Sequence, residues 1–234
     1  MQYYVQDNTL VIKGNFEAVS TGLNGGRSRV KYLFNKQVPR TFNPPDPVKF
    51  VEEAALGLGI SEPCFGLLTA VNMEYLQVIE DDYLTAFVTT GVSNGSEFRI
   101  EKEEKEKKEE KIGTINIILI SREKLSETAL LGAIITATEA KGLALLEKGH
   151  TFLGTNTDAV IVAYEADSEM SPEMEPEMDS EMNSEMGSEM DSEMGSGNKA
   201  RQEIAYAGSS TDFGKKITKA VIKGVKAGLE LRGE

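Results

Sequence analysis

A run of ten residues, IGTINIILIS at positions 112–121, constrains the fold more than any other segment of the chain. Apolar side chains occupy both odd and even positions of this run, so both faces of a strand built from it need cover. Such a strand lies at the centre of a sheet with other layers packed above and below it. The run therefore predicts a buried sheet that is covered on both sides.

The remaining apolar pattern mixes strands with a few helices. Strands are predicted at residues 10–13, 31–34, 65–71, 76–80, 84–90, 159–164 and 204–207, and helices at 47–58, 125–146 and 211–231. Ser121 or Ser126 can cap the second helix, and Ser209, Ser210 or Thr211 the third. Runs of strands with few helices favour a single α+β domain over strict βαβ alternation, with a mixed sheet or sandwich and two long helices packed on it.

Two segments do not belong to the predicted core. Residues 97–111 are almost wholly charged, which predicts a solvated loop or short helix. Residues from about 165 to 199 contain seven tandem tetrads such as SEMG, with methionine at every fourth position from Met170 to Met194. On a helix this spacing drifts by roughly 40° per tetrad, and Pro172 and Pro176 oppose a helix as well. The composition predicts a disordered acidic insertion.

Charge and composition exclude several classes of function. The net charge is −13, but residues 165–198 hold 12 acidic residues and no basic one, which leaves 26 acidic against 25 basic residues elsewhere. This balance gives no indication of a nucleic-acid or membrane partner. One cysteine and one histidine cannot build a disulfide or an ordinary zinc site, so we expect no metal and no cofactor. The first ten residues lack the features of a signal peptide, and the apolar stretches 115–120 and 129–137 are too short to cross a bilayer, so we expect a soluble cytoplasmic protein.

Glu139 is the most informative single residue. At 100° per residue, it falls in the middle of the helix side that carries Gly132, Ile135, Leu143 and Leu146, opposite Lys141. A carboxylate at the centre of a buried apolar face is costly unless it is paired or protonated. The pattern therefore indicates either a structural ion pair or a catalytic carboxylate with a tuned pKa.

Short clusters of Gly, Thr, Ser and Asn follow or precede the predicted strands. Each can be a simple turn, but four of them on one chain can also line a pocket or supply donors to an oxyanion. The candidate substrate-binding residues are Asn24, Gly25, Gly26, Thr89, Thr90, Gly91, Asn94, Thr155, Asn156, Thr157, Thr211 and Asp212, together with Asn116 on the central strand.

Taken in order, these blocks resemble the adenosylcobinamide amidohydrolase family of archaeal-type corrinoid salvage. The blocks are LNGG (23–26), CFGLLTAVNM (64–73), TAFVTTGVSNG (85–95), GTINIILI (113–120), LLGAIITATEAKGLALLEKG (130–149), GTNTDAVIVA (154–163) and YAGSSTDFGKKITKAV (206–221). The resemblance implies that the substrate is adenosylcobinamide and that the amide joining aminopropanol to the corrin ring is hydrolysed. The product would be adenosylcobyric acid.

The resemblance brings no catalytic set with it, so the candidates come from the residues themselves. Glu139 or Asp158 is the expected general base, with backbone donors from the 89–95 loop, and Ser93 as a covalent nucleophile is the variant. A non-catalytic corrinoid-binding or carrier protein is the alternative from another class, since it would need the polar cleft but no perturbed carboxylate.

Deletion of residues 168–197 should leave the melting temperature and the turnover nearly unchanged, because a disordered insertion contributes little packing. Thermal melts and activity measurements on the deletion variant test this expectation. A large loss of either would mean that the tetrads dock on the fold.

Overall fold

The computed structural model describes residues 1–92, 113–167 and 203–233. The charged segment 97–111, Ser93, Asn94 and residues 168–199 of the predicted insertion lie outside these ranges. The described elements are β1 Gln2–Gln6, β2 Thr9–Ser20, β3 Gly26–Gln37, α1 Pro47–Gly57, β4 Cys64–Thr69, β5 Gln77–Asp81, β6 Leu84–Thr90, β7 Ile115–Ser121, α2 Glu127–Glu147, β8 Ala159–Glu165 and α3 Asp212–Arg232, with a 3-10 turn at Met73–Tyr75.

The strands form one mixed sheet in the order β4-β3-β2-β8-β7-β6-β5, with β1 added beside β2. β3 with β4 and β7 with β8 are parallel pairs, and the other pairs are antiparallel. The register of β2 against β3 shifts between Lys13 and Phe16. On its other edge, β2 pairs with β1 before this irregularity and with β8 after it. The irregularity therefore lets one strand serve two neighbours, because a bulge bends and twists the strand that carries it.

The bend brings the two halves of the sheet face to face. Side chains of β2, β3 and β4, among them Phe16, Leu33 and Leu67, share one buried cluster with Phe87 of β6 and Ile118 of β7. Helices α2 and α3 cover the outer face of the β5–β8 half, and α1 covers the outer face of β3 and β4. The predicted α+β sandwich with two long helices packed on it is confirmed, as is the central strand, since every residue of β7 is buried.

The structure shows which of the predicted cap residues begin the two long helices. The Ser126 hydroxyl accepts a hydrogen bond from the backbone N–H of Ala129 and so begins α2. The Thr211 hydroxyl accepts one from Gly214 and begins α3, which ends at Gly233 with φ of 66°. These contacts satisfy N–H groups that the first helical turn leaves without a partner.

The predicted strand at residues 204–207 is wrong. Ile204 forms only an isolated bridge to Leu125, and the Ser126 hydroxyl donates to the carbonyl of Ala205. The segment has no edge of β8 to join, because β2 and β7 already occupy both edges of that strand. It lies beside the residues that begin α2 instead. Strand β1 was not predicted, since its five residues are all exposed and carry no apolar alternation.

Helix α2 is long and apolar enough to cross a membrane by length and composition alone, with a mean hydropathy of 1.5 over the window concerned. Of that window, 56% is buried inside the fold. The core helix of a folded protein passes the same test, so this property is weak support for a membrane span.

Helix α3 approaches β6 closely through glycine. A Cβ atom added at Gly224 would lie 2.8 Å from Cγ2 of Val88, closer than packed atoms come. Gly224→Val should therefore destabilise the fold by about 1–3 kcal/mol, since overpacking forces side chains or backbone to shift. Urea unfolding measures the change. The matched control is Gly57→Ala near the end of α1, where an added Cβ meets nothing within 4 Å, and its stability should not fall.

Candidate functional site

A cleft of about 560 Å³ opens where β7 and β8 begin. Its walls are the turn after β2 (residues 21–23), the loop between β3 and α1 (residues 38–47), the second half of β4, and the residues that enter β7 and β8. Four of the predicted site residues line it together, namely Asn116, Asn156, Thr157 and Asp158. The volume lies in the range of small-molecule sites.

A buried ion pair stands at the inner wall of the cleft. Lys141 Nζ of α2 lies 2.5 Å from Asp158 Oδ2, and the two side chains are only 8% and 9% exposed. The backbone N–H of Thr155 donates to the same oxygen, while Ile115 N–H and the Thr155 hydroxyl donate to Oδ1. The carboxylate thus holds the loop before β8, the first residue of β7 and helix α2 together. Gly154 leaves the space that the lysine fills, because a Cβ there would lie 2.5 Å from Nζ.

The prediction that Glu139 lies on the buried face of α2 is wrong. Glu139 is exposed, together with Leu131, Ile135, Leu143 and Leu146. The buried face consists mainly of small side chains and contains Lys141; its members include Ala129, Ala133, Ala137, Ala140 and Ala144. Small residues allow close packing against α3 and β8; Leu130 and Leu145 are buried with them, whereas the four exposed apolar side chains point outward. The buried charged residue of this helix is therefore Lys141, and Glu139 is not among the residues that line the cleft.

Threonine hydroxyls connect the same loop to the start of β7. Thr114 Oγ1 and Thr157 Oγ1 lie 2.6 Å apart, and the Thr157 hydroxyl also reaches the carbonyl of Gly113 at 3.2 Å. The Thr155 hydroxyl lies 2.9 Å from that carbonyl and 2.5 Å from Asp158 Oδ1. Since this hydroxyl has one hydrogen, it can donate to only one of the two acceptors at a time.

A second buried chain of polar groups crosses between the two halves of the sheet. Asn116 Nδ2 donates to Asn35 Oδ1 and to the carbonyl of Leu68, both at 2.9 Å. Asn35 Nδ2 in turn donates to the Thr89 hydroxyl at 2.9 Å. Thr89 therefore supports the network below the cleft and does not line it. Asn35 was not predicted; the polar residue at the end of the apolar run YLFN was the available signal.

The predicted residues of the β2–β3 turn have a structural role. Asn24 Oδ1 accepts from the N–H of Gly66, and Asn24 Nδ2 donates to the carbonyl of Cys64, so this side chain fastens the turn to β4. A Cβ at Gly25 would lie 2.3 Å from the carbonyl oxygen of Ser20, and Gly26 has φ of 118°, so both positions need glycine. These three residues hold the neighbouring segment 21–23 against the cleft.

Several other candidates lie away from the cleft. Thr90 faces α3, where a Cβ at Gly228 would lie 2.9 Å from its hydroxyl. The N–H of Gly91 donates to the carbonyl of Thr114 and is not available as an oxyanion donor. Thr211 is the cap of α3, and the side chain of Asp212 is 95% exposed.

Cys64 packs in the cluster beneath α1. Burial raises the pKa of its thiol, which keeps the sulfur protonated at neutral pH and makes it a poor nucleophile.

Comparisons with known proteins indicate one family over most of the chain. The family model described as adenosylcobinamide amidohydrolase matches residues 2–192. A protein of Methanosarcina mazei named adenosylcobinamide amidohydrolase is 64% identical over 234 residues, which is all of both chains. One of the same name from Halobacterium salinarum is 29% identical over 159 residues, 66% of this chain and 68% of the relative. An uncharacterised protein of Methanocaldococcus jannaschii is 31% identical over 188 residues, 67% of this chain and 73% of the relative. No solved structure matches the chain.

Lys141→Met should destabilise the protein by about 3–5 kcal/mol, because it leaves the buried Asp158 carboxylate without its cation. The double variant Lys141→Met/Asp158→Asn should recover part of this loss, since the remaining side chains carry no charge. Urea unfolding of the wild type, both single variants and the double variant forms a double-mutant cycle. Additive effects in this cycle would show that the two residues do not interact.

Proposed function

The chain belongs to the adenosylcobinamide amidohydrolase family, and we propose that the cleft beside Lys141 and Asp158 is the place where it hydrolyses its substrate. The reaction breaks the amide that joins aminopropanol to the corrin ring of adenosylcobinamide. It yields adenosylcobyric acid, which returns to cobalamin synthesis. The observation that carries the assignment is that Asp158 is the one titratable side chain among the described residues of the cleft wall.

The size of the cleft suggests how such a substrate binds. A corrin ring with its side chains is larger than the ligands that a cleft of about 560 Å³ encloses. We therefore propose that only the side chain with the scissile amide enters, while the ring lies across the mouth. The loop between β3 and α1 supplies Phe42 and Pro44 to the cleft wall, and these apolar side chains can contact the ring.

Asp158 is proposed as the acid–base group. A water molecule attacks the amide carbon and gives its proton to the carboxylate; the same proton then passes to the leaving nitrogen, and the carbon–nitrogen bond breaks. The Thr155 hydroxyl suits both states of the carboxyl group, because it donates to Asp158 Oδ1 when that group is ionised and can turn to the Gly113 carbonyl when it is protonated. The Thr114 hydroxyl is the proposed donor to the oxyanion, because its hydrogen is free when the Thr157 hydroxyl donates to it.

The water has to reach a carboxylate that already accepts four hydrogen bonds. The Thr155 hydroxyl is the contact that can be released, because it can turn to the Gly113 carbonyl and leave a lone pair of Asp158 Oδ1 for the water. Ser93, which lies outside the described residues, stays the proposed covalent variant.

The remaining expectations are also proposals. We propose a cytoplasmic enzyme that needs no metal or cofactor and has neither nucleic acid nor membrane as a partner. One histidine and one cysteine in the whole chain, and the near balance of charge outside residues 165–198, support them. Exhaustive chelation should leave the rate unchanged, and recovery of a lost rate by added metal would contradict the proposal.

Incubation of the purified chain with adenosylcobinamide, followed by chromatography for released aminopropanol, tests the assignment. Asp158→Asn should lower kcat by roughly 10²–10⁴-fold, the usual loss for a general base. Glu139→Gln is the comparison variant, and it should keep both kcat and the melting temperature because Glu139 is exposed.

Asp158→Asn also weakens a buried ion pair, so its kcat is compared below the unfolding temperature of both variants. Undiminished turnover by folded Asp158→Asn would remove this residue from the mechanism. Binding without any release of aminopropanol by the wild type would favour a carrier protein.

A further inference from the structure

One buried acceptor atom on a residue of the cleft wall has no partner. Asn116 lines the cleft and is 1% exposed, and its Oδ1 makes no hydrogen bond within the described part of the chain. A buried amide oxygen without a donor costs free energy, so a native structure usually provides one. The oxygen is sealed from water by its neighbours, but it belongs to a residue of the cleft wall, so a donor on a ligand that packs against Asn116 is the missing partner to test.

The network fixes which end of the Asn116 amide is the acceptor. Its Nδ2 donates to the carbonyl oxygen of Leu68, which can only accept. Turning the amide over would place two acceptor oxygens against each other, even if Asn35 turned as well. The Asn116 oxygen is thus held in place by β4 and β3, and it cannot change into a donor to suit a different ligand.

The charge of the cleft also favours a ligand with an N–H group over a ligand with a carboxylate. None of the described residues that line it is basic, and the one charged side chain among them is the carboxylate of Asp158. Its cation, Lys141, is held behind it in the ion pair. A ligand that carries an N–H group meets a fixed acceptor here, whereas a carboxylate in the same position meets a lone pair and a negative charge.

We infer that Asn116 is a specificity-determining residue whose Oδ1 accepts the N–H of the scissile carboxamide and disfavours the carboxylate produced by hydrolysis. This inference rests on the proposed function of the cleft. A site that is built to hydrogen-bond one group rejects the analogue that lacks it, since a buried polar atom is then left unpaired. The enzyme thereby binds the amide substrate and releases the acid product.

The test compares two ligands of nearly the same shape, namely adenosylcobyric acid and the primary amide of the same carboxyl group. Equilibrium dialysis, read by the visible absorbance of the corrinoid, gives both dissociation constants. Wild-type protein should bind the amide at least about tenfold more tightly than the acid, which is the effect expected for one buried hydrogen bond. Asn116→Ala should remove most of this preference by weakening the amide, while the acid binds no worse.

Thr136→Val is the matched control. Thr136 is also 1% exposed and does not line the cleft. The substitution removes one buried hydrogen bond, which the Thr136 hydroxyl donates to the carbonyl of Ala207. Its stability should fall while the preference for the amide stays at the wild-type value. Asn116→Ser, which keeps a polar side chain but lacks the amide oxygen, replaces Asn116→Ala if that variant does not fold.

Equal affinity of the wild type for the two ligands would overturn the inference. So would a preference that survives in Asn116→Ala or Asn116→Ser, because the residue would then have only a structural role. Failure of the proposed function is seen separately, as an absence of aminopropanol release from adenosylcobinamide by wild-type protein that binds both corrinoids.

Discussion

The wall of the cleft depends on the buried ion pair between Lys141 and Asp158. The pair connects the middle of α2 to the loop before β8, and the same carboxylate accepts the first N–H of β7. A buried charge is costly to leave without its partner, so the loop can adopt few other positions while α2 stays packed. The ion pair thereby ties the wall of the cleft to the helix behind it.

Polar side chains elsewhere in the cleft also hydrogen-bond to one another. The hydroxyls of Thr114 and Thr157 join the residues that enter β7 and β8, and the amides of Asn35 and Asn116 cross between the two halves of the folded sheet. These contacts position the groups before a substrate binds, and preorganisation of this kind is a main source of catalytic rate. The sheet bend at Phe16 matters for the same reason, since it brings β4 over β7 and allows Leu68 to hold Asn116.

The sequence predicted what depends on local pattern. The run of apolar residues in β7, the three helices and the cluster at residues 154–158 all carry signals of periodicity, capping or turn chemistry within a few residues. It failed where a contact is long-range. Helix α2 is apolar on nearly every side, so large side chains pointed to the wrong face, and Lys141 looked like a solvated residue. Asn35 had a visible signal but no visible partner, because its contact with Asn116 spans 81 positions.

Strand β8 keeps the cleft apart from the points where the tetrad segment joins the fold. The cleft opens at Ala159, where β8 begins. The strand ends at Glu165, roughly 20 Å away at the usual rise per residue. The chain returns at Glu203, which pairs with Lys124 just beyond β7, at the same far end. A change in the number of tetrads therefore alters the length of chain between two anchors at this far end and leaves the spacing of the residues that line the cleft unchanged.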